Sequence, residues 1–99
     1  PGQLKLHYSP GIPIKLNKNY SKDGQALIVY GKKFKKRKNQ FNLSKKGSLK
    51  EAANNLYKTM REIKKKKFKS IAVIKISNKG IGYAINDRLR KASNKWQLK

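Results

Sequence analysis

Catalysis needs reactive groups that converge, and this chain offers few. His7 is its one imidazole, Asp23, Glu51, Glu62 and Asp87 are its four carboxylates, and cysteine is absent. A Ser-His-Asp relay would have to use His7, which sits among prolines near the start. A metal site needs several His, Cys or acidic ligands, and no motif here groups them, so no metal ligand is assigned. No two acids share a motif that would make a paired-carboxylate site. Catalytic residues are therefore expected to be absent from this segment.

Two other patterns bear on binding. Gly80-Ile81-Gly82 stands between a strand-like and a helix-like stretch. That order echoes a phosphate-binding turn, in which free N–H groups at a helix start meet an anion. Ile85 occupies the third glycine position of the full fingerprint, so a plain tight turn at Gly80 and Gly82 is the competing reading. Lys32, Lys33, Phe34, Lys35, Lys36 and Arg37 form a cationic run around one ring. Cations for phosphate and a ring for stacking are the components of a single-strand contact. A solvated loop on a basic protein explains the same residues.

The elements that would position these groups can be read from periodicity. Ile12, Ile14 and Leu16 alternate with Pro13 and Lys15, a short strand that proline confines to an edge or a start. Ala26 to Tyr30 is a continuous apolar run, as expected of a strand buried on both faces. Gln40 to Leu43 fits a further short strand. Ser48-Leu49-Lys50-Glu51 has the form of a capping box. The helix it opens carries Leu49, Ala52, Ala53, Leu56, Met60 and Ile63 on one stripe and lysines in its last turn. Ser70 to Ile76 is rich in β-branched residues and reads as the best strand. A second helix is expected from about Gly82 to Ala92, with Ile81, Ala84, Ile85, Leu89 and Ala92 inward. A helix between strands implies a right-handed parallel crossover. The fold class is α/β, a small three-layer domain with a mostly parallel sheet.

Composition sets the outer limits. The 99 residues suffice for one domain, and 27 Lys and Arg against four acids leave a net charge of +23. Such a surface attracts phosphate polymers non-specifically. It also matches the Lys-, Asn- and Ile-rich usage that AT-rich coding writes onto solvated surfaces. The lack of cysteine fits a reducing, cytoplasmic setting, and no apolar run is long enough to span a bilayer. Pro1 is not a methionine, so a piece of a longer protein is expected.

Three stretches go further than composition. Pro1-Gly2-Gln3-Leu4-Lys5-Leu6-His7-Tyr8-Ser9-Pro10 resembles the P-G-x-x-x-x-H-Y-[AS]-P linker of two-domain threonylcarbamoyl-AMP synthases. Asn42-Leu43-Ser44 followed by Gly47 and Leu49-Lys50-Glu51-Ala52-Ala53-Asn54-Asn55-Leu56-Tyr57 is similar to that family's N-L-S, glycine and L-x-E-A-A-x-x-L-[FY] helix. Gly80-Ile81-Gly82-Tyr83-Ala84-Ile85-Asn86-Asp87-Arg88-Leu89 resembles its G-x-G-x-A-I-N-D-R-L signature. The matches occur in order and cover nearly the whole chain. The departure is the cationic run at 32–38, where family members are usually less basic, so no role is inherited there.

The resemblance implies an interdomain linker at 1–11 and a Rossmann-like accessory domain at 12–99. It implies a parent enzyme that condenses threonine, bicarbonate and ATP, with Mg, into threonylcarbamoyl-AMP for tRNA modification. Catalysis would belong to an N-terminal YrdC-like domain, the expected partner within the parent chain. This segment itself would hold no cofactor. Pro1, Gly2, His7, Tyr8 and Pro10 would then meet the catalytic domain or its nucleotide and gate it, against the alternative of a plain spacer. Asn86, Asp87 and Arg88 would serve either the domain's own structure or an interdomain contact. A stand-alone basic RNA-binding protein of ribosomal type is the reading from another class. No membrane partner is expected.

Overall fold

The computed structural model describes residues 11–97, with side chains through Ser93. The strands are β1 (Ile14–Lys15), β2 (Gln25–Val29), β3 (Gln40–Asn42) and β4 (Ser70–Val73). The helices are α1 (Leu49–Lys65) and α2 (Ile81–Gln97). The strands form one sheet in the order β1-β4-β2-β3, and every pairing is parallel. The α/β class and the parallel sheet are as the periodicity indicates. The strand at 12–16 is reduced to two residues at the sheet edge. Pro13, which has no N–H, contributes only its carbonyl, which accepts from Ile71 N at 2.8 Å.

Side-chain alternation assigns the two faces. Ile14, Ala26, Ile28, Ile71 and Val73 point to one side, where they meet Leu56, Met60 and Ile63 of α1 and Ile85, Leu89 and Ala92 of α2 in one core. Leu27, Val29 and Ala72 point to the other side, against Phe34 and Ile74. Both helices thus share one face, and the layer over the second face is loop rather than helix.

Topology explains this division. From β3 to β4 the chain passes through α1 and moves back across the sheet, beyond β2. From β1 to β2, and from β2 to β3, it moves the opposite way. Parallel crossovers of one hand that travel in opposite directions must use opposite faces. Beyond Leu16 and Tyr30, which still pack in the helix-side core, the two connections therefore run over the face that α1 leaves bare. The cationic segment is a crossover without a helix, and Phe34 is the residue it lends to the core.

The cap of α1 departs from the simple box. Ser48 Oγ accepts from Glu51 N at 3.1 Å, as expected. Glu51 does not return the bond directly. Ser44 Oγ accepts from Ser48 N at 2.9 Å and donates to Glu51 Oε1 at 2.5 Å, relaying between them. Ser44 is 2% exposed. The N-L-S stretch continues this network: Asn42 Oδ1 accepts from Ser44 N at 3.0 Å, and Asn42 Nδ2 donates to Gly31 O at 2.9 Å. The far end of α1 closes on Lys67, which holds a φ of 66 where glycine is the usual occupant.

Two outcomes follow for stability. Ser44→Ala removes the relay and strands buried polar groups, and urea unfolding should show a loss of about 1–3 kcal/mol. Lys67→Gly relieves the left-handed backbone, and the same assay should show a gain of about 0.5–1 kcal/mol.

Candidate functional site

The linker residues Pro1, Gly2, His7, Tyr8 and Pro10 lie outside the described residues. The described chain enters at Gly11, beside Lys64 of α1.

At Gly80 and Gly82 the requirement for glycine is steric. Gly80 takes a φ of +55. A Cβ on Gly82 would stand 2.0 Å from Ser77 O, so only glycine lets α2 approach the end of β4 this closely. The N–H groups of Gly82 and Tyr83 donate to Lys79 O and Gly80 O, each at 3.0 Å. Those two donors are spent inside the turn rather than aimed at a ligand.

The three residues after Ile85 act on different neighbours. Asn86 Nδ2 donates to Ile76 O at 2.8 Å and to Asn78 Oδ1 at 3.3 Å, tying α2 to the segment leaving β4. Asp87 pairs along its own helix with Lys91 at 3.0 Å and Arg90 at 3.6 Å. The hydrogen bond from Lys91, helped by the charges of Lys91 and Arg90, holds the Asp87 carboxyl below its usual value against the opposing effect of desolvation. Its contribution is present above the unfolded carboxylate pKa and fades as pH falls through the lowered one. Arg88 lies over the Tyr57 ring of α1, 5.9 Å from its centroid, linking the helices by a cation–π contact.

Of these residues Asn86 and Arg90 line a crevice of about 230 Å³, together with Leu16, Asn17, Ile76 and Asn78. It lies at the carboxyl ends of β1 and β4, whose connections depart to opposite faces. That is the switch point where open α/β sheets place ligands. Asn17 belongs to it through a backbone φ of 58. Nothing in the sequence marks the crevice. The helix period alone gives no sign that Asn17 and Asn86, far apart in the chain, share a wall. Ile81, expected inward, is 44% exposed, and Tyr83 beside it is 53% exposed.

The cationic run is placed differently from a free loop. Phe34 is half-buried against Leu27, Val29 and Ala72, with Lys33 Nζ 5.5 Å from its ring centroid. The ring faces the core rather than standing clear for stacking. Lys32, Lys33, Lys35, Lys36 and Arg37 are all exposed. Lys33, Lys35 and Arg37, with Lys38, line a groove of about 650 Å³ that also takes in Asn19, Tyr20 and Ser21. Tyr20 is 66% exposed and was not singled out by sequence, because its nearness to residue 35 exists only across the sheet face. Among the described residues, no three His, Cys, Asp or Glu side chains come together as a metal site. No described helix is long and apolar enough to cross a membrane.

The turn geometry makes one prediction. Gly82→Ala should lower the melting temperature sharply, by the equivalent of about 1–3 kcal/mol or more. Gly80→Ala, with open space around its Cβ and only backbone strain to meet, should cost about 1 kcal/mol.

Comparisons with known proteins fit this architecture. The crystal structure of P. abyssi Sua5 complexed with L-threonine superposes with a TM-score of 0.67 over 91% of this chain, at 24% sequence identity. That likeness establishes the shared fold. The chain spans 30% of that protein's length. No curated protein matches the sequence. The family described as threonylcarbamoyl-AMP synthase, C-terminal domain, matches residues 1–94, nearly the whole chain. The chain belongs to the threonylcarbamoyl-AMP synthase C-terminal domain family.

Proposed function

We propose that this chain is the accessory domain, with its connecting arm, of an enzyme that makes threonylcarbamoyl-AMP from threonine, bicarbonate and ATP for tRNA modification. Its role is to carry and anchor the arm at residues 1–11, which gates a catalytic domain within the same parent chain. ATP and Mg act in that catalytic domain. The observation that carries this reading is the family match, which runs from the arm through the body without a break. The neighbouring structure is of a protein complexed with L-threonine and is about three times longer than the matched region, which supports a larger parent.

The body suits an anchoring role. Four of its asparagines and serines are spent on bonds to backbone carbonyls: Asn42 to Gly31 O, Asn55 to Leu43 O, Asn86 to Ile76 O and Ser93 to Ile14 O. The last of these fastens α2 to the edge strand next to which the arm enters. A mounting of this kind keeps the arm's origin fixed, which limits the volume its tip explores. The prolines in the arm reduce the entropy lost when it docks. His7 and Tyr8 bring polar tips on flat rings that suit a nucleotide or polar catalytic groups.

In the full-length natural protein, the double substitution His7→Ala, Tyr8→Ala should lower kcat for threonylcarbamoyl-AMP formation, read as pyrophosphate release, at an unchanged melting temperature. Unaltered kinetics would leave the arm as a spacer. Arg88→Ala should lower the melting temperature by the loss of its contact with Tyr57, about 0.5–1 kcal/mol, and leave activity intact. Lost activity at an unchanged melting temperature would instead place Arg88 in an interdomain contact.

A further inference from the structure

The two helix-free crossovers do more than cover the second face of the sheet. Both line the groove of about 650 Å³, the first with Tyr20 and the second with Lys33, Lys35, Arg37 and Lys38. No carboxylate lines it. Among the described residues the ion pairs run from Asp87 to Arg90 and Lys91, on α2, so the groove cations are not neutralised by a protein partner. Cations gathered around a concavity focus the potential there more than the same charges spread on a convex surface.

We propose that this groove is a binding site for single-stranded RNA. Cations that track a backbone beside an aromatic platform are the two elements of sequence-tolerant single-strand recognition. The platform is Tyr20, which is 66% exposed, rather than Phe34, which packs against the sheet. Phe34 serves as the floor and holds Lys33 over itself, 5.5 Å from ring centroid to Nζ. An unpaired base can lay its face on Tyr20 while its flanking phosphates meet Lys33, Arg37 and Lys38. A duplex keeps its bases stacked on one another and offers no such face. An acidic peptide would satisfy the cations but would leave the exposed ring without a flat partner. The site stands apart from the gating arm, since it is built from different residues and read by binding rather than by adenylate formation.

The test is fluorescence anisotropy of the full-length natural protein with a labelled oligouridylate of about 12 nucleotides. Tyr20→Ala should weaken binding by about 5- to 100-fold, and Tyr20→Phe should retain it. Binding of a duplex of equal length should not change. The groove triple Lys33→Gln, Arg37→Gln, Lys38→Gln should reduce the slope of log affinity against log salt by about 2. The helix triple Lys58→Gln, Arg61→Gln, Lys65→Gln, which removes the same charge from α1, should leave that slope nearly unchanged. Equal losses from the two triples, or no effect of Tyr20→Ala, would reduce the binding to net charge and overturn the site. Displacement of the RNA by polyglutamate at equal charge concentration would overturn it in favour of an acidic protein partner.

Discussion

Four parallel strands expose two apolar faces, and the described residues supply two helices with which to cover them. Both helices lie on one face, where Ile28, Ile71, Leu56, Met60 and Ile85 are fully buried. Buried parallel strands require cover on both sides, and the opposite face carries Leu27, Val29 and Ala72. Handedness compels the β1–β2 and β2–β3 connections to run over that face, so these segments must act as a layer although neither forms a helix. Much of the rest of the domain follows from that demand. It accounts for Phe34 standing among lysines, for the cationic segment lying flat, and for the groove left between two thin loops.

The opposite arrangement holds at the carboxyl end of the sheet. There the residues of the 80–89 stretch serve proximity. Gly82 lets α2 approach Ser77, Asn86 satisfies the carbonyl of Ile76, and Arg88 spans to Tyr57. The N-L-S stretch does comparable work at the start of α1, where Asn42 and Ser44 tie Gly31, Ser48 and Glu51 into one network. These polar side chains bond mainly to backbone, which is how a small domain with a thin core keeps its loops in one conformation.

The extreme charge needs no special device in the fold. Lysines occupy the outer faces of α1 and the loops, and the core contains none of them. Their repulsion is diffuse and screened at physiological salt. What distinguishes one cluster is its shape and its neighbour, a groove shared with an exposed tyrosine. Charge alone would attract any polyanion, whereas charge set beside a flat ring discriminates between them.

Much of this architecture was written locally. The capping serine and the three-and-four spacing of Leu49, Ala52, Leu56, Met60 and Ile63 specify α1, because helix periodicity is a property of neighbouring residues. The apolar run at 26–30 specifies a strand buried on both sides for the same reason, and the ordered family motifs carry the kinship. Contacts between distant residues were not legible. Ser44 as a relay within the cap, Asn17 and Asn86 in one crevice, Ile81 turned outward, and Tyr20 opposite Lys33 and Arg37 all depend on which segments cross which face of the sheet. Pattern reading places a residue on a strand, a helix or a loop, but crossover handedness and packing decide what stands beside it. The lysine-rich segment shows the difference most clearly: its composition reads as solvated loop, and only the sheet beneath it makes it a layer.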